Sequence, residues 1–198
     1  MAAFFISQGL HLLSSTPFMP LSGLPNFDPR RIPVDRIDTG LPAVARERLQ
    51  PDALQQRFAH PPRWQPEVAV EKKFTDRLPA HASVLLAVVM HDQPTVLLTE
   101  RTAHLSTHSG QIAFPGGKVD DTDADAAATA LREAHEEVGL DERNVEVIGT
   151  LPIYVTGSAF IITPVVALVR PGFVLHPNPD EVADAFEVPL EFLMNPAN

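Results

Sequence analysis

The chain has 198 residues, enough for one domain or for one domain with an extension, and 44% of them are hydrophobic. Fifteen basic residues against 25 acidic ones give a net charge of −10, which argues against a nucleic-acid partner, because such proteins need a basic face. The absence of cysteine excludes disulfides and thiolate metal sites and fits a cytoplasmic protein. No apolar run reaches the ~20 residues of a membrane span, so we expect no stable membrane insertion.

The first 80 residues differ from the rest in composition. They hold 11 of the 20 prolines, with 10 basic and 8 acidic residues, whereas residues 81–198 hold 5 basic and 17 acidic ones. We therefore predict a Pro-rich N-terminal extension over residues 1–79, followed by a regular domain over residues 80–198. The prolines of residues 14–40 exclude a helix or a central strand there. Residues 41–60 predict one or two short helices, broken near Pro51.

Apolar runs in residues 80–198 predict a series of strands. The predicted strands are 82–91, 95–101, 110–114, 145–155 and 160–170. Residues 123–138 predict a helix, with Thr122 as its N-cap and Gly139 as its C-terminal stop. Residues 179–194 predict a short helix followed by a capping segment. Because strands and helices do not alternate strictly, we expect a mixed sheet with helices packed on it.

The most unusual segment runs from Gly117 to Glu142, where nine carboxylates accompany only two basic residues. On the predicted helix, Glu133, Glu136 and Glu137 fall at i, i+3 and i+4 and share one face. Carboxylates at this spacing repel one another unless a divalent cation lies among them, and oxygen ligands favour Mg²⁺ or Mn²⁺. A solvated helix face is the simpler interpretation of the same pattern taken alone.

Two adjoining motifs carry a resemblance to a known family. The segment Gly117 to Leu140 resembles the Nudix box, Gly-x5-Glu-x7-Arg-Glu-U-x-Glu-Glu-x-Gly-U, where U is a bulky aliphatic residue. The sequence REAHEEVGL matches its second half. In the first half Asp123 replaces Glu, and one extra residue separates it from Arg132. Just upstream, LLTERTAHLSTHSGQIAFPGG resembles the signature of the coenzyme A diphosphatase branch, with Ser106 where that signature has Arg.

The resemblance implies a fold and a reaction. The implied fold is an α/β/α sandwich with a mixed β-sheet, and the family usually continues past VPLEFLMNPAN with a further strand and a closing helix, which we expect to be missing here. The implied reaction is metal-dependent hydrolysis of the diphosphate bond of coenzyme A or its thioesters, giving 4′-phosphopantetheine and adenosine 3′,5′-bisphosphate. Its partner is therefore a small molecule, and a homodimer stays an open interpretation.

Two alternative functions also stay open. The first is a Nudix hydrolase of another nucleoside diphosphate derivative, such as ADP-ribose or a dinucleotide, and Ser106 is the argument for it. The second is a catalytically silent module that binds a nucleotide. The intact glutamates speak against this second interpretation, because a silent module has no need of three mutually repelling carboxylates.

The resemblance also assigns roles to individual residues. With Mg²⁺ or Mn²⁺ as the ion, the implied metal ligands are Glu133, Glu136, Glu137 and the carbonyl of Gly117. Arg132 would orient the glutamates through charge-assisted hydrogen bonds, and together with Glu133 and Glu136 it is assigned to catalysis. Glu181 is a candidate for a further catalytic acid outside the box, although a helix-start acid favoured by the dipole explains it equally well.

The predicted substrate contacts lie in and beside the upstream motif. They are Arg101, Phe114, Gly116 and Lys118. A 3′-phosphate needs a cation, and Arg101 or Lys118 are the first candidates. Second candidates are cations of the N-terminal extension, namely Lys72, Lys73 and Arg77, for which plain surface solvation is the alternative.

Overall fold

The computed structural model describes residues 40–66, 68–73, 75–104 and 109–198, so residues 14–39 of the predicted extended segment lie outside the described residues. The strands are β1 (Ala80–Val89), β2 (Thr95–Arg101), β3 (Ile112–Ala113), β4 (Gly116–Lys118), β5 (Val145–Thr150), β6 (Tyr154–Val155), β7 (Phe160–Val169) and β8 (Val182–Pro189). The α-helices are α1 (Pro51–Ala59), α2 (Ala126–Val138) and α3 (Leu190–Leu193), and short 3-10 helices occupy Arg46–Leu49 and Glu142–Asn144. Within the described ranges, no helix is both long and apolar enough to cross a membrane.

The strands form one mixed sheet of eight strands. Its main order is β3-β2-β1-β7-β5, while β4 pairs with β1, β6 with β7 and β8 with β2. β1 and β7 run parallel, from Ala80 opposite Phe160 to Val89 opposite Val169. The other pairs are antiparallel. The sequence correctly predicted a mixed sheet with continuous apolar central strands, which are typical of a sheet covered on both faces.

Alternating side chains of the sheet enter two separate cores. The first core lies against α2 and includes Leu85, Ala87, Val89, Ala130, Ala134 and Val138. The second core lies on the opposite face, against the first 3-10 helix, α1 and α3, and includes Val84, Val88, Leu49, Leu54 and Leu190. The chain therefore forms the α/β/α sandwich that the resemblance implied. Residues 44–59 of the N-terminal extension supply part of its second helical layer.

β1 and β2 separate as they run away from their connecting turn. They pair at Val88 opposite Val96 and at Val89 opposite Thr95. Farther along, β3 pairs with β2 and β4 pairs with β1, so residues 112–118 fill the space between the two strands. The N–H of Leu85 donates to the carbonyl of Pro115 at 2.8 Å. This arrangement places the two glycines that follow Pro115 directly beside α2.

Several predicted elements differ from the structure. The predicted strand 145–155 is divided into β5 and β6, and the predicted strand 110–114 is reduced to β3. Helix α2 begins at Ala126 because the Asp125 side chain accepts a hydrogen bond from the N–H of Ala128 at 2.8 Å, which makes Asp125 the N-cap. Thr122 instead hydrogen-bonds to the carboxylate of Asp120. The helix predicted near residue 179 was also wrong, because residues from Val182 onward pair with the open edge of β2. The predicted stop at Gly139 was right: it adopts the left-handed conformation with φ 70°.

Candidate active site

Arg132, a partly buried residue of α2, connects the acidic residues of the site. Its Nε and Nη2 donate to the two oxygens of Asp123 at 2.9 Å each. Its Nη1 donates to Glu133 and to Glu136 at 3.0 Å each, and Nη2 also donates to the carbonyl of Lys118 at 3.0 Å. These five hydrogen bonds use the whole donor capacity of a guanidinium group. Arg132 thereby fixes α2 to the loop before it and to the end of β4.

Asp123 is a residue of the site that the sequence treated only as a departure from the motif. Its carboxylate meets Arg132 in the two-pronged geometry that suits a guanidinium group. The hydrogen bonds from Arg132 hold the pKa of Asp123 well below its usual range, and those from Asp123 raise the pKa of Arg132. Asp123 therefore anchors Arg132. The motif alignment contained this signal, because Asp stands at the position of the conserved acid of the box.

The three glutamates of α2 have different environments. Glu137 is buried, with 3% of its surface exposed, and one of its oxygens accepts a hydrogen bond from the N–H of Gly116 at 3.1 Å. Glu133 is partly buried, and burial raises its pKa, an effect that Arg132 partly opposes. The side chain of Glu136 is 56% exposed and extends toward Arg132. Glu133 and Glu137 thus face the sheet, whereas Glu136 lies at the rim.

Gly116 and Gly117 let the backbone approach these carboxylates closely. A Cβ atom added to Gly117 would lie 2.3 Å from the carboxyl carbon of Glu133. At Gly116 a Cβ atom would lie 2.4 Å from the carbonyl oxygen of Ser83, on the neighbouring strand. A side chain at either position would therefore displace the carboxylate or the strand. Glycine is needed here for space, since both neighbours occupy the volume of a side chain.

Glu137 carries the most perturbed carboxyl group of the site. Burial is the main cause of a rise in its pKa to about 7, which the hydrogen bond from Gly116 opposes. The negative charges of Glu133 and Glu181 act in the same direction as burial, and the positive charge of Arg101 opposes them. Nη1 of Arg101 lies 3.9 Å from Oε1 of Glu137.

The structure brings Glu181 close enough to influence this pair. Its charge affects both Glu137 and Arg101. The loop that carries it is fixed on two sides, because the N–H of Asn178 donates to the carbonyl of Glu137 at 2.8 Å and the N–H of Thr102 donates to the carbonyl of Glu181 at 3.0 Å. Glu181 precedes a strand, so the helix-start explanation of this acid does not hold.

The donor set of the site suits a hard divalent cation. Carboxylates from Glu133 and Glu137 and the carbonyl of Gly117 are oxygen ligands, and the missing side chain of Gly117 leaves room for the carboxylate of Glu133. In this arrangement, among the described residues, no three His, Cys, Asp or Glu side chains are gathered closely enough to hold a metal ion. The carboxylates are held instead by Arg132 and Gly116. Glu136, being exposed, can turn toward the other two.

The predicted substrate contacts fall into two groups. Lys118 is exposed, and its Nζ lies 5.9 Å from the centre of the ring of Phe160, the first residue of β7. Phe114 is 8% exposed and packs in the second core. Arg101 is 4% exposed, so its guanidinium group is not presented to a ligand in solution. These positions argue against direct substrate contacts by the side chains of Phe114 and Arg101, and they leave Lys118 as the accessible cation among the four predicted contacts.

Two further parts of the prediction concern Ser106 and the cations of the N-terminal extension. Ser106 is outside the described residues. The N-terminal extension reaches the sheet at Val155, whose N–H donates to the carbonyl of Ala69 at 2.9 Å and whose carbonyl accepts from the N–H of Glu71 at 2.8 Å. Because β6 pairs with the beginning of β7, the cations that follow Glu71 lie toward the same end of the sheet as Lys118.

Two curated relatives of this chain carry the same name. The chain is 50% identical over 110 residues to the Uncharacterized Nudix hydrolase NudL of Photorhabdus laumondii, covering 56% of this chain and 59% of the relative. It is also 50% identical over 109 residues to the Uncharacterized Nudix hydrolase NudL of Escherichia coli strain K12, covering 55% and 57%. The chain thus spans 57–59% of the length of these two curated relatives.

The similarity extends to solved structures and to a family model. The chain resembles the Caenorhabditis elegans Ap4A hydrolase in its binary complex, with a TM-score of 0.47 and 20% identity, over 57% of this chain and 82% of that one. The family model described as the NUDIX domain matches residues 79–198, which is more than half of the chain and includes β1 to β8 and α2. The chain therefore belongs to the Nudix family.

Proposed function

We propose that this chain hydrolyses the diphosphate bond of coenzyme A or of its thioesters, with Mg²⁺ or Mn²⁺ as the cofactor. The observation that carries the proposal is the pair of contacts made by the FPGG segment, in which Gly117 faces Glu133 and Gly116 donates to Glu137. These contacts join the two sequence motifs in one place. The segment Gly117 to Leu140, which resembles the Nudix box, supports a metal-assisted diphosphate hydrolase. The upstream segment that ends in FPGG supports coenzyme A as the diphosphate substrate.

The protein's own residues have distinct tasks in this reaction. Glu133, Glu136, Glu137 and the Gly117 carbonyl would hold the ion, which, when bound, neutralises phosphate oxygens and lowers the pKa of a water molecule. Arg132 keeps Glu133 and Glu136 in place through its hydrogen bonds. Glu181 accepts the proton that the attacking water loses. The water oxygen bonds to one phosphorus, the bond from that phosphorus to the bridging oxygen breaks, and the bridging oxygen leaves with the second phosphate.

A substrate panel tests this proposal against its alternatives. Coenzyme A, acetyl-coenzyme A, ADP-ribose and NADH would be incubated with the protein in Mg²⁺ and then in Mn²⁺, and the products separated by chromatography. We expect 4′-phosphopantetheine, or its acyl form, and adenosine 3′,5′-bisphosphate as products. Faster cleavage of ADP-ribose or NADH would instead favour the second Nudix substrate class. Nucleotide binding without cleavage of any of the four would favour the silent module.

The substrate, location and assembly of the protein are part of the same proposal. We propose a small-molecule partner, a cytoplasmic location, which the lack of cysteine favours, and no nucleic-acid partner, given the net charge of −10. A homodimer stays a prediction, and light scattering of the purified chain would decide between one and two copies.

Metal binding is expected to stabilise the folded protein. The unfolded chain cannot gather the glutamates, so the ion binds the folded state preferentially. At a tenfold excess over its dissociation constant, Mg²⁺ should add about 1.4 kcal/mol to the free energy of unfolding, a rise in Tm of roughly 3–6 °C. Differential scanning calorimetry with and without Mg²⁺ measures this shift.

A matched pair of variants controls the calorimetric experiment. Glu133→Gln should abolish the shift, whereas Glu142→Gln, an exposed glutamate on the 3-10 helix after α2, should retain it. A Tm that does not respond to Mg²⁺ or Mn²⁺ would contradict the assignment of these glutamates as metal ligands.

The 3′-phosphate of coenzyme A is expected to improve its hydrolysis. Lys118 is the accessible cation beside Gly117, and losing its phosphate partner leaves it unpaired in the complex. A hydrogen bond to a charged group contributes about 1.5–3 kcal/mol, and we expect the low end, since Ser106 offers no charge where the signature has Arg. The kcat/KM for coenzyme A should therefore exceed that for dephospho-coenzyme A about tenfold, and the ratio should fall as salt rises.

Lysine and arginine variants identify the cation responsible. Lys118→Met should reduce the ratio toward one, and Arg170→Gln, an exposed cation that follows β7 at the other end of the sheet, should leave it unchanged. If Lys73→Met reduces the ratio instead, the 3′-phosphate is bound by the N-terminal extension. Equal efficiency on the two substrates by the unmodified protein would remove the chain from the coenzyme A branch.

A further inference from the structure

Arg101 is a buried cation at the end of β2. It is 4% exposed, and its backbone is fixed in both directions, because its N–H donates to the carbonyl of Gln111 at 3.0 Å and its carbonyl accepts from the N–H of Gly110 at 3.1 Å. The register between β2 and β8 shifts between Glu100 and Arg101. Irregularities of this kind redirect a side chain. The Arg101 side chain belongs to the interior of the protein.

The interior that surrounds Arg101 is negatively charged. Nη1 lies 3.9 Å from Oε1 of Glu137, an ion-pair distance that is too long for a direct hydrogen bond. Burial lowers the pKa of Arg101, and the charges of Glu137 and Glu181 oppose this effect. Among the described residues, no group accepts a hydrogen bond from its buried Nε. Arg101 is thus paired with Glu137 on α2, and the backbone of its neighbour Thr102 holds the loop that carries Glu181.

A buried cation in this position can offset the repulsion between the carboxylates of the site without contacting the substrate. The negative charges of Glu133 and Glu181 disfavour the charged form of the buried Glu137. The positive charge of Arg101, 3.9 Å from Oε1 of Glu137, offsets that effect. A guanidinium group stays charged when buried, and its planar shape suits a carboxylate better than the ammonium group of lysine does. Arg101 is also buried, whereas Lys118 is exposed to solvent.

We propose that Arg101 is a positioning residue, which holds the Glu137 carboxylate in place without contacting the substrate. This inference rests on the proposed function, since it gives Arg101 a part in the same site. It acts through Glu137, the acid that accepts the hydrogen bond from the N–H of Gly116. It also replaces the expectation that Arg101 binds the 3′-phosphate.

Two substitutions of Arg101 test the proposal in steady-state kinetics. Arg101→Met removes the charge and keeps much of the side-chain volume. It should lower kcat by about 10- to 100-fold at saturating metal, the usual cost of losing a group that orients metal-site ligands. KM and the preference for coenzyme A over dephospho-coenzyme A should stay within about threefold of the unmodified protein. Arg101→Lys restores the charge and should recover part of kcat.

Mn²⁺ binding gives a readout that does not depend on any substrate. Free Mn²⁺ would be titrated by electron paramagnetic resonance, with each variant at the same protein concentration. We expect Arg101→Met to weaken Mn²⁺ binding about tenfold and Arg101→Lys to weaken it less. Mn²⁺ binding that weakens in this order, together with no hydrolysis of any substrate in the panel, would reject the proposed function and keep the positioning role.

A double variant tests whether Arg101 acts through Glu137. In protein that already carries Glu137→Gln, adding Arg101→Met should change kcat by less than about threefold, because the partner through which Arg101 acts is gone. Additive losses would overturn the proposal. So would a raised KM with a lost preference for the 3′-phosphate, which indicates a substrate contact. A lower Tm with unchanged kcat and unchanged Mn²⁺ affinity would leave Arg101 a purely structural role, and this can be read from Arg101→Lys if Arg101→Met does not fold.

Discussion

Replacing Glu137 with glutamine is expected to lower turnover by about 10²-fold or more. The substitution keeps the size of the side chain and its capacity to accept the hydrogen bond from the N–H of Gly116. It removes the negative charge that a divalent cation requires, in a buried position where no water-exposed acid can replace it. Steady-state kinetics over a range of Mg²⁺ concentrations measures the loss. The control Glu142→Gln should behave as the unmodified protein.

The stability of this variant separates loss of chemistry from loss of fold. Burial raises the pKa of Glu137 to about 7, above the value of about 4.5 expected when unfolded. Its contribution to stability is therefore fully present below about pH 4.5 and is lost as the pH rises through about 7, because the folded state then releases a proton that the unfolded state has already lost. A neutral glutamine avoids that loss. In metal-free buffer at pH 8, the Tm of Glu137→Gln should be equal to or higher than that of the unmodified protein.

Either of two results would contradict the assignment of Glu137. Near-normal turnover of Glu137→Gln at saturating metal would show that this carboxylate is not a ligand. A large drop in Tm in metal-free buffer would show that the charged form stabilises the fold, and the loss of turnover would then follow from unfolding.

Alanine is expected to lower turnover when it replaces Gly117 and to lower stability when it replaces Gly116. At Gly117 the new Cβ atom would overlap the carboxyl group of Glu133, the end of a side chain that can move. Turnover should fall by about 10²-fold, since a displacement of about 1 Å in a catalytic group has effects of that size, and Tm should change little. At Gly116 the new Cβ atom would overlap Ser83 O and, at 2.6 Å, Val84 Cα, which are backbone atoms of β1. Here we expect a loss of about 2–3 kcal/mol in the free energy of unfolding.

Stability and turnover would be measured for both variants. Urea denaturation followed by circular dichroism gives the free energy of unfolding, and kcat is determined on the folded fraction of each protein. Gly117→Ala with full activity would mean that Glu133 does not act from its observed position. Gly116→Ala with unchanged stability would mean that β4 and β1 can separate at no cost, contrary to their pairing at Val84 and Gly116.

The parts of the fold that the sequence predicted are those determined by local pattern. β2 lies at its predicted bounds, and the short helices of residues 41–60 break beside Pro51, because Pro51 opens α1. Gly139 ends α2 for a local reason, its left-handed conformation. Each of these features depends on a few consecutive residues, so a single sequence suffices to find it.

The parts that the sequence missed depend on contacts between distant residues. The strand character of β8 comes from pairing with β2, more than 80 residues earlier, and the short sequence around Glu181 equally suits a helix. The burial of Arg101 follows from the same pairing, because β8 covers the end of β2. The spacing of the glutamates predicted their common helix face, but their different exposure depends on where the FPGG segment meets α2.

The cover of the second core by residues 44–59 has a consequence for the kinetics of folding. Leu49 and Leu54 pack there against strands far along the chain, Gln55 hydrogen-bonds to Glu146, 91 residues away, and the Phe58 ring lies against Gly149. During synthesis this segment leaves the ribosome more than 80 residues before β5 and β7, the strands it must cover. Loop closure over such distances slows folding, so the apolar second face stays open to solvent until the last strands arrive. In that interval the nascent chain is most exposed to aggregation, and variants that weaken this cover should lower the yield of folded protein even where they leave the chemistry of α2 untouched.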